Sequence, residues 1–278
     1  MNKGVLVFAF NNESINYVKQ AHFLAQRVTD ILGLPTTLVT DLDITKKYSN
    51  YAKDFDKIIH CSAQSLSKKR YNDGTLYKRY LQFKNIGREN SYDLSPYDET
   101  IVLDTDFIIA NDCFLQCFSQ NKDLLLYKDA YHIGINKDLS EFDKISDTGV
   151  DFVWATAIFF RKTNENQVFF DLVKHIKENY WHYRNVFQFK SPVYRNDFAF
   201  SIANHIINGY QHGNFAGSMP GKKFFASDKD LLIDIKDKKF KFLVEKTDRL
   251  GEYNAVTIQD SNIHVMNKFS LERVIDQS

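Results

Sequence analysis

Asp104 and Asp106 stand one residue apart in ETIVLDTDFII, residues 99–109, two carboxylates inside an otherwise apolar run. Burying a carboxylate is costly unless a charge or hydrogen bonds compensate it, so the pair needs a partner. Side chains alternate along a strand, which puts both aspartates on one face and Thr105 on the other. Two anions on one side of a strand end repel unless a cation sits beside them. A hard divalent ion takes one or two carboxylates and completes its shell with phosphate oxygens and water. The spacing therefore suits Mn²⁺ or Mg²⁺ gripping a diphosphate. The plainer alternative ends the strand at Asp104 and leaves both carboxylates solvated or capping.

Such a pair needs a frame that holds a strand end still. GVLVFAF near the N-terminus is a short, continuous apolar run, as in a strand covered on both faces. It is too short for a membrane span and no small-residue cleavage site follows it. After NNES, the residues Val18, Ala21, Leu24, Ala25, Val28, Ile31 and Leu32 recur at threes and fours. Asn12 or Ser14 can cap this helix, and Gly33 and Pro35 stop it. TTLVTD (36–41) reads as a second strand, DKIIHCS (56–62) as a third and ETIVLDTDFII as a fourth. Strand, helix and strand at this spacing form a parallel βαβ unit with a right-handed crossover.

Between 63 and 98, SLSKKRYNDG reads as a loop and TLYKRYLQFKNIG as a helix with Leu76, Tyr80 and Phe83 inward. NDCFLQCFSQN then suits a short helix, and FVWATAIFFRK a buried strand. ENQVFFDLVKHIKENYWHY, with Val168, Leu172, Val173 and Ile176, is an amphipathic helix, and RNDFAFSIANHIINGY is another. Residues 222–278 turn into short strands with many lysines. The pattern predicts one α/β domain over 1–278: a mostly parallel central sheet flanked by helices, with a small C-terminal lobe. Ligands of such sheets bind beyond the strands' carboxyl ends.

Of 278 residues, 44% are hydrophobic and 15% aromatic, enough for one sizeable core, and only four are proline. Lys and Arg number 36 against 35 Asp and Glu, so no overall field draws the chain to nucleic acid or an anionic membrane. Three cysteines, Cys61, Cys113 and Cys117, form a sparse, odd set that reads as free thiols in a reducing compartment. Cys113 and Cys117 are metal-compatible in spacing, but no further paired ligands accompany them, and structural burial is the preferred reading. The expected location is the cytoplasm, with no protein partner implied.

The layout resembles a GT-A fold (Rossmann-like) glycosyltransferase, most of all the glycogenin and lipopolysaccharide galactosyltransferase family, glycosyltransferase family eight. GVLVFAFNN resembles the opening strand whose end holds the nucleoside, which implicates Ala9, Phe10 and Asn11. LYKRYLQF resembles the basic helix before the metal strand, where Lys78 or Arg79 would face the phosphates. YDETIVLDTDFIIAND is similar to the strand ending in D-x-D, and IHVMNK to the closing motif whose histidine is the third metal ligand and whose lysine reaches the diphosphate. These would be His264 and Lys268. Imidazole suits Mn²⁺ in a mixed carboxylate and nitrogen site. Metal and lysine together would neutralise a departing nucleoside diphosphate. Met266-Asn267 replaces the family's glycine, no Pro-Trp follows, and the His-to-Lys spacing is shorter.

YRNDFAF resembles the Asp-Gln segment under the donor sugar, so Asn196 and Asp197 would touch sugar hydroxyls or the developing oxocarbenium charge. Asp197 can equally be a helix N-terminal carboxylate favoured by the dipole. Ala155-Thr156-Ala157 stands where the family has Asn-x-Gly. Asp41, ending the second strand, either touches base or ribose or is solvated. Trp181, His182 and Tyr183 form either a stacking platform or packed core. The resemblance implies a nucleotide-binding half (1–112) and an acceptor and sugar half with the closing segment (113–278), a UDP-sugar donor and retention of anomeric configuration.

The Lys-, Asn- and Tyr-rich, proline-poor composition suggests an AT-rich bacterial or viral source, and small bacteriophage transferases have this general look. The acceptor would then be a glycan or a hydroxymethylated DNA base, in the cytoplasm of a bacterium or an infected host. Basic SKKR (67–70), GKK (221–223) and KDKKFKF (236–242) would contact phosphates if they converge, and are otherwise solvated surface. One alternative is a haloacid-dehalogenase-type phosphohydrolase with Asp104 as nucleophile. That motif normally opens its fold, and SDTGVD is a poor substitute for its later acidic segment. A further alternative is a non-catalytic nucleotide-sugar-binding protein.

Overall fold

A computed structural model of the chain describes residues 2–43, 48–62, 67–84, 87–134, 142–145, 149–189, 191 and 193–277. The apolar opening run forms β1 (Lys3–Phe8), where Val5, Leu6 and Val7 are all fully buried. Helix α1 (Tyr17–Arg27) returns the chain to β2 (Thr36–Thr40), which lies parallel to β1, and β3 (Lys57–His60) lies parallel to β2. The cap of α1 is Asn16, whose side chain accepts from the Lys19 N–H at 3.0 Å, not Asn12 or Ser14. Asn12 is spent one turn earlier, accepting from the N–H groups of Ser14 and Ile15. Gly33, left-handed at φ 63°, ends the helical segment as expected.

The segment expected as a loop and then a helix is a β-hairpin. β4 (Ser67–Asp73) pairs antiparallel with β5 (Tyr77–Phe83), and Gly74 at φ +74° makes the turn. Leu76 and Tyr80, expected inward, are 94% and 65% exposed, while Tyr71 and Leu81 are buried. Leu76, Tyr80 and Phe83 mimic a helical spacing, but Asp-Gly between two alternating runs is the stronger local signal. Residues 63–66 and 85–86 of the same stretch lie outside the described residues.

β6 (Glu99–Leu103) lies parallel to β1 on its other side. β7 (Phe107–Ile108) leaves this sheet, and the short helix expected after it is a 3-10 helix, Cys113–Ser119. β8 (Leu124–Tyr127) returns to the sheet, and β9 (Tyr131–His132) leaves it. β10 (Trp154–Arg161) inserts antiparallel between β6 and β8, and β11 (Gly217–Ser218) adds parallel to β8. The central order is β11-β8-β10-β6-β1-β2-β3, with β10 the antiparallel strand in a mostly parallel sheet.

Helices α2 (Asn164–Glu178) and α3 (Asn196–Ile207) pack on each other, and α3 also packs on β10. Their core is aromatic: Phe160, Phe169, Phe170 and Phe200 are fully buried, with the Phe160 and Phe170 rings 4.9 Å apart. Val173 and Ile176 of α2 face inward as the period predicts, but Val168 is 61% exposed and Phe169 and Phe170 take the inner face.

The C-terminal strands build two small sheets. β12 (Phe224–Ala226) and β16 (Ile263–Val265) join β7 and β9 in the order β7-β16-β12-β9. β13 (Leu231–Lys236), β14 (Lys239–Glu245) and β15 (Tyr253–Gln259) form an antiparallel meander. Helix α4 (Lys268–Ile275) closes the chain against α1 and β13. A second apolar cluster lies here, with Leu232, Phe240, Phe242, Val265 and Leu271 at its centre. Among the described residues, no helix is long and apolar enough to cross a membrane.

Candidate metal and diphosphate site

The β6 strand ends at Leu103, and the chain turns there. Asp104 N–H donates to Thr156 O at 3.0 Å across to β10, and Phe107 N–H donates back to Asp104 O at 3.1 Å. The two aspartates thus share one side through a turn beside β10, not through strand alternation. β16 closes on this turn: Val265 N–H donates to Asp106 O at 2.8 Å, and His264 pairs in register with Phe107.

This pairing carries the His264 ring, stacked on Phe107 with centroids 5.9 Å apart, to the acidic pair. His264 Nε2 lies 3.1 Å from Asp106 Oδ2 and 3.7 Å from Asp104 Oδ2. One ligand atom from each of the three residues falls within 4.8 Å of the others. Among the described residues, this is the one cluster of three or more such groups, and Cys113 and Cys117 do not form another. Burial raises the Cys113 thiol to about 11, helped by Asp112, consistent with a packed, unreactive residue.

Asp106 and His264 are buried, Asp104 is half-buried, and both carboxylates are compensated. Burial pushes the His264 imidazole down to about 4, against the pull of Asp106, so at neutral pH the ring is in its neutral, ligand-competent form. Burial works to raise the Asp106 carboxyl, but His264 and Lys268 outweigh it and hold the group well below the usual range. Lys268, at the start of α4, ion-pairs with Asp106, and its Nζ also donates to Met266 O at 3.2 Å. Arg88 ion-pairs with Asp104. The sequence reading missed this arginine. Gly87 precedes it at φ +109°, and a Cβ there would meet the Phe8 ring at 2.4 Å, so only glycine lets the chain pass under the β1 end and present Arg88.

A cavity of about 540 Å³ opens over these groups, bounded by Phe10, Trp154 and Tyr194 among others. Asp197, in the first turn of α3, reaches it, accepting from the Ala155 N–H at 2.9 Å and from Arg195 Nη2 at 2.8 Å. Burial tends to raise its carboxyl, but Arg195 and the Ala155 N–H prevail and lower it. Asn196 also lines the cavity. Lys68, Lys69 and Arg70 of SKKR line it from the hairpin. Of the other basic runs, Lys223 of GKK is buried outside the cavity wall, its Nζ 3.7 Å from the Trp154 ring centroid and without a hydrogen-bond partner among the described residues. KDKKFKF lies on the β13–β14 hairpin.

The remaining sequence-predicted residues stand apart from the cavity wall, except Phe10 and Thr156. Ala9 is fully buried, its N–H bonded to Val39 O at 2.9 Å. The Asn11 side chain is used locally, accepting from the Val18 N–H and donating to Asn16 Oδ1. Asp41 pairs with Lys84 Nζ at 2.5 Å. Lys78 and Arg79 are on strand β5 and not on a helix; Arg79 Nη1 reaches Ser14 Oγ at 3.3 Å. Their expected place beside the acidic pair is taken by Arg88. Trp181 is 59% exposed on the short helix Tyr180–Val186, away from the cavity. Of SDTGVD, residues 146–148 lie outside the described residues.

No protein-family model matches the chain, and no curated protein matches it either. Among solved structures, the chain is similar to the glycosyltransferase GlyE of Streptococcus pneumoniae TIGR4 at 12% identity and a TM-score of 0.45, over 78% of this chain and 45% of that one. It is similar to the galactosyltransferase LgtC, solved with donor and acceptor sugar analogues, at 10% identity and a TM-score of 0.45, over 81% of this chain and 73% of that one. Mouse xyloside xylosyltransferase 1 aligns at 10% identity and a TM-score of 0.45, over 76% of this chain and 83% of that one. The chain thus spans less than half of GlyE. Overlaps of this size say nothing about which residues act.

Proposed function

We propose that this chain is a metal-dependent glycosyltransferase that moves a sugar from a nucleoside diphosphate donor, a UDP-sugar, to an acceptor hydroxyl. One observation carries the reading: two carboxylates and a neutral imidazole converge within 4.8 Å at the carboxyl end of β6, on the wall of a cavity of about 540 Å³. The donor set fits Mn²⁺ or Mg²⁺, since it supplies two hard oxygens and one nitrogen and leaves further positions for phosphate oxygens and water. When bound, the ion supplies Lewis-acid stabilisation of the departing diphosphate.

The chain's own groups supply the rest. Asp104, Asp106 and His264 hold the ion, and its charge on the carboxylates leaves Arg88 and Lys268 available to the diphosphate oxygens. Asp197, oriented by Ala155 and Arg195, keeps a negative charge where cationic character grows on the sugar, and Asn196 beside it offers an amide to the sugar hydroxyls. Phe10 packs against the nucleoside. The sequence resemblance to family eight supports the same assignment and carries with it retention of configuration.

The test is release of UDP from a panel of UDP-sugars, with Mn²⁺, Mg²⁺ or chelator present, run beside a generic phosphate ester. Metal-dependent UDP release without ester hydrolysis supports transfer. Ester hydrolysis that needs Asp104 favours the phosphohydrolase, and donor binding without UDP release in the presence of varied acceptors favours the binding protein.

A further inference from the structure

The cations around the cavity divide into two kinds. Lys84, Arg88, Arg195 and Lys268 each face one carboxylate: Asp41, Asp104, Asp197 and Asp106. Lys68, Lys69 and Arg70 also line the cavity, and among the described residues no carboxylate forms an ion pair with any of them. A donor diphosphate brings about two negative charges and the divalent ion about two positive ones, so binding the donor leaves this surplus in place.

The surplus is ordered by the hairpin. Lys68, Arg70 and Asn72 of β4 stand directly opposite Gln82, Tyr80 and Lys78 of β5, so the six share one face. That face carries three cations and a tyrosine ring that is 65% exposed, and Asp228 meets it at Asn72, accepting from Asn72 Nδ2 at 2.6 Å. The ribbon is anchored beneath: the Tyr71 hydroxyl meets that of Tyr17 at 2.9 Å, and Asp73 is held by Arg273 at 2.7 and 2.9 Å. A fixed row of cations around an exposed ring, at the mouth of a cavity, matches a chain that alternates phosphates with flat rings.

We infer that the acceptor is a single strand of nucleic acid, lying along this ribbon face with phosphodiesters on Lys68, Arg70 and Lys78 and one base stacked on Tyr80. This rests on the glycosyl-transfer reading above and specifies its acceptor. The neighbouring nucleotide then presents a hydroxyl in the cavity, either a ribose 2′-OH or a hydroxymethyl group on its base. The acceptor oxygen bonds to the anomeric carbon as the bond from that carbon to the diphosphate breaks. The diphosphate leaves with the electron pair, and the hydroxyl proton passes to it. An anionic glycan would also satisfy the cations, and the heparin arm of the experiment distinguishes it; a duplex keeps its bases stacked out of reach.

The experiment is fluorescence anisotropy of labelled twelve-nucleotide single-stranded DNA, the same sequence as duplex, heparin and polyphosphate, with Mn²⁺ and UDP present over a salt series. The single strand is expected to bind most tightly. Lys68→Glu with Arg70→Glu should weaken it more than tenfold and lower the salt slope by about two. Tyr80→Ala should weaken the single strand about tenfold and leave polyphosphate binding unchanged. Heparin or polyphosphate binding as tightly as the single strand, or affinity indifferent to Tyr80, overturns the inference, as does the absence of binding. Failure of the donor reading shows separately, as wild-type protein that does not bind UDP with Mn²⁺.

Discussion

The end of β6 and the β4–β5 ribbon face the same cavity and are built in opposite ways. At the β6 end, Asp106 and His264 are 3% and 5% exposed, and each carboxylate is held by a cation. On the ribbon, Lys68, Arg70 and Lys78 are exposed and form no ion pair among the described residues, and the carboxylate there, Asp228, is bonded to Asn72. A buried charge persists only when it is compensated, so the first region is set before any ligand arrives. An exposed charge is hydrated at little cost and binds what diffuses to it. Under the proposed function, the contrast assigns donor chemistry to the compensated side and partner choice to the open side.

The sharpest way to break this contrast is to remove a charge from the rigid side. Asp106→Asn keeps the side chain's shape but deprives both the ion and Lys268 of their anion. Donor turnover is expected to fall about 10³-fold, measured as UDP release at saturating Mn²⁺. Turnover within tenfold of wild type would remove Asp106 from the site.

Arg88→Lys comes next. A lysine cannot reproduce the planar guanidinium fork, and kcat/KM for the donor should fall about 10- to 100-fold. A matching Arg79→Lys exchange should change it little, since Arg79 lies outside the cavity wall. If the two exchanges had equal effects, the placement of Arg88 under the acidic pair would be wrong. Gly87→Ala tests the same placement through the backbone: a positive φ and a blocked Cβ position should cost about 1–3 kcal/mol of stability, read by chemical denaturation.

The smallest expected effect concerns Lys223, a buried cation without the compensation seen at Asp106. Burial lowers its ammonium from the ordinary 10.5 to about 7. The unfolded chain therefore holds this proton between pH 7 and 10.5 while the folded chain does not. Stability from this residue is lowest below pH 7 and rises with pH through that window. Lys223→Met should flatten the rise and add about 1 kcal/mol at pH 7, measured by urea denaturation at pH 7 and 9. A destabilising substitution with an unchanged pH slope would mean the ammonium has a partner after all.

These two regions also differ in how much the sequence disclosed. GVLVFAF and TIVL are continuous apolar runs of the kind a strand buried on both faces carries, and both form strands, although β6 stops at Leu103, short of the two aspartates expected on it. Asp104 and Asp106 were legible because carboxylates in such a run demand compensation. The ribbon was not, because Leu76, Tyr80 and Phe83 imitate a helical period while the alternation of Tyr77, Arg79 and Leu81 was overlooked. Arg88 left a single faint signal, the preceding Gly87, whose meaning depends on a ring from β1 eighty residues away in sequence. His264 was legible only through the resemblance of IHVMNK, because the register of β16 against β7 that carries it to the acidic pair is a long-range pairing no residue periodicity encodes.

Electron paramagnetic resonance of Mn²⁺ titrated into the protein, with and without UDP, tests the central claim most directly. The account predicts one ion per chain, bound at least tenfold more tightly with UDP present, and lost in both Asp106→Asn and His264→Ala. Manganese that binds equally well in those variants, or without regard to UDP, would contradict it.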